Sequence, residues 1–311
     1  MATTHKCRLL AGLLLALMAA GSLAGCTNVR PTIEIGVLAP FEGLHRRSGY
    51  AALDAVRAAI ADFPYADAGI LPLALDDGAR PAQAVRSAQK LLVDPRVKAV
   101  VGPLTPELGD AIAPISASSP ISWFTPYDIG GQDWAEGLVR AAARLAQQRG
   151  ARGLVLAGWT QGWPRLDAQQ WTEIGGMPVR VDDEPAGVRG DEAVFWMGSA
   201  EDGAAYLAQL RKQQPTAVFV LGPAGEDPVF AERVRASGAG FANAYWTTWT
   251  ENGYTEWTTN HSSRSPNAYI VYRAALAALQ AATAQGQSAP PATWFVESYR
   301  YDDQGVWTST N

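Results

Sequence analysis

Apolar runs of strand length alternate along this chain with amphipathic segments of helical length, and this alternation constrains the fold more than any other feature. TIEIGVLAP and ILPLALDD have the length of strands, and between them Leu53, Val56 and Ile60 recur on one helical face. The alternation continues to an Ala-rich helix that begins near Ser265. Strands that are apolar on both faces and separated by helices are typical of covered parallel sheets. The sequence therefore predicts an α/β fold with two Rossmann-like lobes, each built on a parallel sheet.

The position of a binding site follows from this fold class. Gly130-Gly131 separates two βα blocks of similar size and is the best candidate for the boundary between the lobes. Open parallel sheets bind ligands beyond the carboxyl ends of their strands. Residues that directly follow each strand are therefore the candidates for ligand contacts.

The N-terminus predicts export and lipid anchoring. Lys6 and Arg8 precede the apolar run 9–20, which is shorter than the roughly 20 residues that cross a bilayer and fits an export signal. The sequence Leu23-Ala24-Gly25-Cys26 resembles the bacterial lipobox, which implies cleavage before Cys26 and lipidation of its thiol. The alternative is an ordinary secretory signal with a chance cysteine. We expect an extracytoplasmic protein anchored to the bacterial cell membrane through Cys26, because two or more acyl chains hold a protein stably.

Composition argues against several function classes. Removing the first 25 residues leaves 286 of 311 and changes the net charge from −5 to −7, so nucleic acid is not an expected partner. His45 and His261 are the histidines that remain, and Cys26 is the remaining cysteine. This leaves little material for a zinc site or a nucleophile–base pair, and the sequence contains no common catalytic motif. We therefore expect no enzyme activity, no metal and no cofactor.

Several segments resemble one family of receptors. IEIGVLAPFEG, LALDDGARPAQAVRSAQKLLVDPRVKAVVGPLTPELGDAIAPI, AVFVLGPAGEDPVFAERVRASG and NAYIVYRAALAALQAATAQG are similar to the leucine/isoleucine/valine-binding family of ABC-transporter solute receptors. The resemblance covers nearly all of the chain after the signal. It implies the type 1 periplasmic-binding fold, in which two lobes joined by crossing strands close on a small solute. It also implies a monomer that delivers an amino acid, an amide or a similar polar solute to an ABC permease.

The resemblance also implies a discontinuous first lobe. The expected segments are a signal peptide at 1–25, a linker at 26–31, the first part of lobe 1 at 32–129, lobe 2 at 130–249, a return helix of lobe 1 at 250–289, and C-terminal strands near the hinge or lobe 2 at 290–311.

The family's ligand loops map onto particular positions of this chain. Thr105 follows the third strand and supplies a hydroxyl near a helix N-terminus, which suits an anion. Tyr127 and Asp128 follow the fourth strand, and Asp128 stands where the family has a small residue, so a standard branched-chain amino acid is not expected. The aromatic lid residue of the family corresponds to Trp163.

The segment after the first strand provides further candidates. Phe41, Glu42, Arg46 and Arg47 lie there, and two adjacent guanidinium groups are suited to clamp a carboxylate. The alternative is that one arginine pairs with Glu42 while the other is solvated. For His45 we expect solvation at the surface.

The second lobe contributes aromatic and acidic candidates. Trp159, Trp163 and Trp246 lie at or after strands and predict an aromatic wall, although core packing is the alternative for each. Trp134 and Trp171 lie within helices, where packing is expected. Glu226 is a candidate partner for a ligand ammonium group, and Asp227 is expected to cap a helix. The acidic turn at Asp76-Asp77-Gly78 is expected to be structural.

The sequence thus predicts a lipid-anchored receptor that captures a small ligand by cleft closure and passes it to an ABC permease. One alternative is an anchored regulatory module of the same fold that acts through a protein partner. A secreted hydrolase is the other alternative, but the sequence offers no nucleophile–base pair for it.

Overall fold

The structure is a computed structural model that describes residues 31–65, 67–127, 134–159, 163–283 and 293–310. The predicted signal peptide, Cys26 and Asp128 lie outside these residues. No helix in the described part of the chain combines the length and the apolar character that crossing a bilayer requires.

The first lobe is built on a small parallel sheet. Its strands are β1 (Thr32–Ala39), β2 (Gly69–Asp76), β3 (Val97–Val101) and β4 (Ser122–Phe124), in the order β2-β1-β3-β4. All three pairings are parallel. The helices that connect these strands are α1 (Arg46–Asp62), α2 (Pro81–Val93) and α3 (Pro106–Ser116). Because the strands are parallel, their carboxyl ends meet at one edge.

The second lobe is built on a larger sheet. It has seven strands: β5 (Gly153–Ala157), β6 (Val179–Val181), β7 (Glu192–Trp196), β8 (Phe219–Leu221), β9 (Ala244–Glu251), β10 (Trp294–Tyr301) and β11 (Trp307–Ser309). In the order β11-β10-β9-β8-β7-β5-β6, the five strands from β9 to β6 are parallel, whereas β10 and β11 are antiparallel additions. Its helices are α4 (Trp134–Gln148), α5 (Ala168–Gly175), α6 (Ala200–Gln213) and α7 (Pro228–Ser237).

The chain returns to the first lobe after β9. Two further helices, α8 (Tyr254–Asn260) and α9 (Pro266–Thr283), pack into the same core as β1 and β3. Ala274, Ala275 and Ala278 of α9 are buried against α1, where small side chains permit close approach of the two helices. The chain therefore crosses between the sheets after β4, after β9 and after α9.

Local sequence signals set the ends of several helices. The Asp227 carboxylate accepts a hydrogen bond from the backbone N–H of Val229, so the predicted cap is confirmed, and the Ser199 hydroxyl accepts one from the backbone N–H of Asp202. Gly238 ends α7 with a φ of 72°, a conformation that glycine adopts without steric cost. These caps fix where α6 and α7 begin, directly above the carboxyl ends of β7 and β8.

The described residues confirm the predicted α/β class with two lobes and mostly parallel sheets. The core of the first lobe centres on residues such as Ile35, Val37 and Val101, and that of the second lobe on Val194, Phe195 and Val220. All six side chains have no solvent exposure. The two lobes therefore have separate cores.

Candidate functional site

A cavity of about 510 Å³ lies between the two lobes at the carboxyl ends of their strands. Four of its lining residues directly follow a strand: Pro40 after β1, Asp77 after β2, Met197 after β7 and Gly222 after β8. The cavity thus occupies the position that parallel sheets commonly use for ligands. Its volume is in the range of small-molecule sites.

The structure divides the predicted site residues into two groups. Those that line the cavity are Arg47, Thr105, Tyr127, Trp163 and Glu226. Those that do not line it are Phe41, Glu42, Arg46, Trp159 and Trp246.

The loop after β1 is held by the acidic turn after β2. Asp76 Oδ1 accepts hydrogen bonds from the backbone N–H groups of Phe41 at 2.8 Å and Glu42 at 3.1 Å. Arg46 is exposed and donates to the carbonyl of Gly43 at 3.3 Å. Phe41, Glu42 and Arg46 therefore shape the loop and do not contact the cavity. The expected structural role of Asp76 is confirmed.

Cross-lobe pairs form at the edge of the cavity. Arg47 donates to the carboxylate of Glu232 on α7, so its partner is in the second lobe and is not Glu42. His45 Nδ1 lies 2.8 Å from Asp227 Oδ2, and the same oxygen accepts a hydrogen bond from the Ser48 hydroxyl at 3.0 Å.

The expectation of a solvated His45 is therefore wrong. Its side chain has 21% of its surface exposed and pairs with a helix cap of the other lobe. The hydrogen bond to Asp227 raises the pKa of His45 above its ordinary value of 6.5, although burial opposes this effect. The contact joins residues that are far apart in sequence, so no local pattern revealed it.

Stacked indoles form one wall of the cavity. Trp163 stacks on Trp134 with ring centroids 4.8 Å apart, and both line the cavity. Trp159 lies behind them, 5.7 Å from Trp163 and 5.1 Å from Trp171. Trp134 packs into the core of the second lobe as expected, but it also lines the cavity because the first residue of α4 lies where the chain enters that lobe.

The prediction for Trp246 is wrong. Its side chain is fully buried in the second lobe and stacks on Tyr299 at 4.3 Å. Trp246 lies in β9, where the rings of Tyr299 and Trp307 and the backbone of Gly225 pack against it. The indole that lines the cavity is instead Trp307 of β11. Sequence reasoning missed Trp307 because only the antiparallel pairing of the C-terminal strands brings it there.

The first lobe contributes Thr105 and Tyr127. Thr105 occupies the N-cap position of α3 as predicted, but its side chain makes no capping hydrogen bond. Tyr127 lies over Gly109 of α3 so closely that a Cβ there would be 1.5 Å from the phenolic oxygen. Gly109 therefore permits Tyr127 to line the cavity, 6.2 Å from the ring of Trp134.

Two buried carboxyl groups line the cavity from opposite lobes. Glu226 Oε2 accepts a hydrogen bond from the backbone N–H of Asn267 at 3.0 Å, and burial raises its pKa to about 7. Asp77 has no solvent exposure, and burial raises its pKa to about 6. Asp77 Oδ1 accepts a hydrogen bond from the backbone N–H of Ala79, whereas Oδ2 has no hydrogen-bond partner. Asp77 thus differs from the purely structural role expected for the turn.

The site combines aromatic walls, a few hydroxyl groups and buried carboxyl groups. This combination suits the enclosure of a small molecule that has an apolar body and a polar or cationic end. Within the described ranges, no group of three or more histidine, cysteine, aspartate or glutamate side chains is arranged to hold a metal ion.

Known structures share this architecture. A leucine-binding protein from Thermotoga maritima superposes with a TM-score of 0.69 at 15% identity, over 90% of this chain and 98% of that one. A branched-chain amino acid transporter substrate-binding protein from Streptococcus pneumoniae, in complex with isoleucine, gives 0.64 at 15% identity over 90% and 99%. An ABC transporter substrate-binding protein from Desulfitobacterium hafniense, in complex with leucine, gives 0.61 at 13% identity over 89% and 99%.

At the level of sequence, no protein-family model and no curated protein matches this chain. The structural similarity nevertheless extends over nearly the full length of the solved proteins. The chain therefore has the type 1 periplasmic-binding fold, as the resemblance in its sequence predicted.

Proposed function

We propose that this protein is an extracytoplasmic receptor that captures a small polar solute between its lobes and delivers it to an ABC permease. The observation that carries this proposal is the interlobe cavity, which is lined by residues of both lobes at the carboxyl ends of their strands. The similarity to amino-acid-binding proteins of the same fold supports a solute with an amino group. The receptor performs no chemistry on the ligand.

Closure of the lobes is the proposed mechanism. Segments 32–129 and 250–289 move as one lobe, and segment 130–249 moves as the other together with the C-terminal strands. Arg47 and His45 contact α7 across the gap, so these pairs form as the lobes approach. A ligand that contacts both lobes stabilises the closed state in proportion to its differential affinity for that state.

The lining residues support particular roles in this mechanism. Glu226 holds an ammonium group, because its buried carboxyl already lies at the cavity surface. Trp163 and Trp134 cover the apolar body of the ligand, and Thr105 offers a hydroxyl from the first lobe. A permease then recognises the closed form.

A thermal-shift screen over amino acids, amides, sugars and polyamines tests this proposal. A ligand at 100 times its dissociation constant adds about 2.7 kcal/mol of stability, which is a large increase in melting temperature. Binding is also expected to change the fluorescence of Trp163, and a Trp163→Ala variant serves as the control for that signal. If no solute of these classes and no monoamine stabilises the protein, the receptor function is wrong.

The lipid anchor is part of the same proposal and rests on Leu23 to Cys26. We expect Cys26→Ser to release the protein from the membrane or to leave an uncut precursor. Fractionation after expression in a bacterial host measures this, with the unaltered chain as control. A processed Cys26→Ser protein that stays with the membrane contradicts the anchor but leaves the binding function intact. We further expect a monomer, which sedimentation tests directly.

A further inference from the structure

The charged groups that line the interlobe cavity are mostly acidic. The carboxyl groups are those of Asp77, Glu107, Glu226 and Asp227. Among the described residues that line it, the basic side chains are His45 and Arg47.

Both basic side chains already pair with a carboxylate of the second lobe. His45 pairs with Asp227 at 2.8 Å, and Arg47 pairs with Glu232 across the lobes. A ligand anion would compete with these carboxylates for the same two cations. At the His45–Asp227 pair, whose side chains are largely buried, displacement would leave a carboxylate with a desolvation cost that offsets the new contact.

Most of the helix N-termini at the cavity carry acidic groups of the chain itself. At α3, Pro106 lacks a backbone N–H and Glu107 supplies a carboxylate in the first turn. At α7, the Asp227 carboxylate accepts from the backbone of Val229. These carboxylates interact favourably with the helix dipoles, which reduces the attraction that a ligand anion would otherwise experience.

Groups of the chain also accept hydrogen bonds from the first turns of α6 and α9. The Ser199 hydroxyl accepts from the backbone of Asp202, whose own carboxylate lies in the first turn of α6. Glu226 Oε2 accepts from the backbone N–H of Asn267 in the first turn of α9. The starts of α6, α7 and α9 therefore offer little to a ligand carboxylate, whereas the starts of α1 and α3 carry no side-chain cap.

Asp77 indicates what the cavity requires instead. Its side chain is completely buried, and Oδ2 has no hydrogen-bond partner although the residue lines the cavity. A buried carboxylate oxygen without a partner is costly. A bound ammonium group provides both the hydrogen bond and the opposite charge that this oxygen lacks.

The aromatic wall fits the same ligand chemistry. Trp134, Trp163 and Trp307 line the cavity together with Tyr127. Indole faces attract organic cations and also cover apolar groups. An amine with an alkyl or aromatic body satisfies both the carboxyl groups and the wall.

We propose that this cavity binds organic monoamines with an apolar or aromatic body, and that it does so without a ligand carboxylate. Asp77 from the first lobe and Glu226 from the second supply the counter-charge. This inference rests on the proposed receptor function and narrows its ligand class.

Two matched series of probes test the inference by titration calorimetry at pH 8. One contains phenylalanine, 2-phenylethylamine and 3-phenylpropanoate, and the other contains leucine, 3-methylbutylamine and 4-methylpentanoate. In each series the amine is expected to bind about tenfold or more tightly than the amino acid, since the carboxyl groups that line the cavity repel a ligand carboxylate. The carboxylate without an amino group is expected not to bind.

A pair of charge-matched variants locates the site. Asp77→Asn is expected to weaken amine binding about tenfold or more, because it removes the charge and keeps the shape. Asp54→Asn removes the same charge from an exposed position of α1 and is expected to leave affinity unchanged. Equal effects of the two variants would overturn the role of Asp77 and with it the inference.

The remaining outcomes separate this inference from the receptor function. If the amino acids bind more tightly than the amines, or if only an anionic or neutral solute of the broader screen binds, the amine inference is wrong and the receptor function stands. If no solute of the screen and none of the six probes binds, the receptor function itself fails.

Discussion

Asp227 Oδ2 lies 2.8 Å from His45 Nδ1, and this contact joins the cap of α7 in the second lobe to the start of α1 in the first. The other oxygen of Asp227 accepts from the backbone of Val229 at 3.0 Å. One carboxylate therefore fixes the beginning of a helix and also holds the lobes together. Protonation of His45 strengthens this contact, because its hydrogen bond to Asp227 raises the pKa of the histidine.

The first prediction is that closure depends on pH. The hydrogen bond to Asp227 raises the pKa of His45, so the protonated form favours the closed state. This stabilisation is fully present below the ordinary pKa of 6.5 and is lost as the pH rises through the raised value. We expect small-angle X-ray scattering of the ligand-free protein to give a larger radius of gyration at pH 9 than at pH 6.

Two histidine variants control this experiment. His45→Gln is expected to remove most of the pH dependence. His261 also pairs with a carboxylate, Asp62 at 3.0 Å, but both residues belong to the first lobe. His261→Gln should therefore leave the pH dependence of closure unchanged. An unaltered profile in His45→Gln would show that another group controls closure.

The second prediction distinguishes two adjacent arginines. Arg47 reaches Glu232 across the cleft, whereas Arg46 bonds within its own loop. Because the Arg47–Glu232 pair is half exposed, its contribution is at most about 1 kcal/mol, or a fewfold in affinity. We expect Arg47→Ala and Glu232→Ala each to weaken ligand binding a fewfold. The double variant is expected to have the same affinity as either single variant. Arg46→Ala should bind normally, and a large effect there would contradict this assignment.

The third prediction separates two tryptophans. Trp246 is fully buried, so Trp246→Ala is expected to lower the free energy of unfolding by about 3–5 kcal/mol. Trp163 has one side at the cavity, so Trp163→Ala should cost less stability but weaken ligand binding about tenfold. Urea unfolding and calorimetry measure the two effects. If Trp163→Ala destabilises as strongly as Trp246→Ala, Trp163 is a core residue and not a ligand contact.

The fourth prediction concerns Asp77 in the ligand-free protein. Its folded pKa of about 6 exceeds the ordinary value of 3.8, so its ionisation disfavours folding as the pH rises between these values. The cost above pH 6 is at most about 3 kcal/mol. We expect Asp77→Asn to be more stable than the unaltered protein at pH 8 and nearly equal to it at pH 4, as measured by urea unfolding. A gain of the same size at both pH values would contradict the role of ionisation.

Much of the fold could be predicted from the sequence because it depends on local patterns. Strands such as β3 are apolar on both faces, and Val100 and Val101 are both buried, so the run itself indicates a covered parallel sheet. The caps at Ser199 and Asp227 depend on residues two or three positions away. The position of the cavity could be predicted from the α/β fold class, because parallel strands bring their carboxyl ends to one edge of the sheet.

The sequence predicted less well which side chains line the cavity. Trp246 was expected at the cavity but is a core residue, and Trp134 was expected to pack but also lines the cavity. The sequence alone does not distinguish a tryptophan that faces the core from one that faces a cavity. Trp307 reaches the cavity only because β11 pairs antiparallel with β10 at the edge of the second sheet. No local sequence pattern indicates which distant strands pair with each other.

The sequence by itself thus determined the α/β class, the two lobes and the edge at which the cavity lies, because hydrophobic periodicity and helix capping act between neighbouring residues. Only the tertiary structure decided that His45 meets Asp227, 182 positions away, and that Asp77 is buried with an oxygen lacking a partner. Such contacts form when two separately folded lobes approach each other. The charge and shape of the cavity therefore depend on residues that no spacing rule connects.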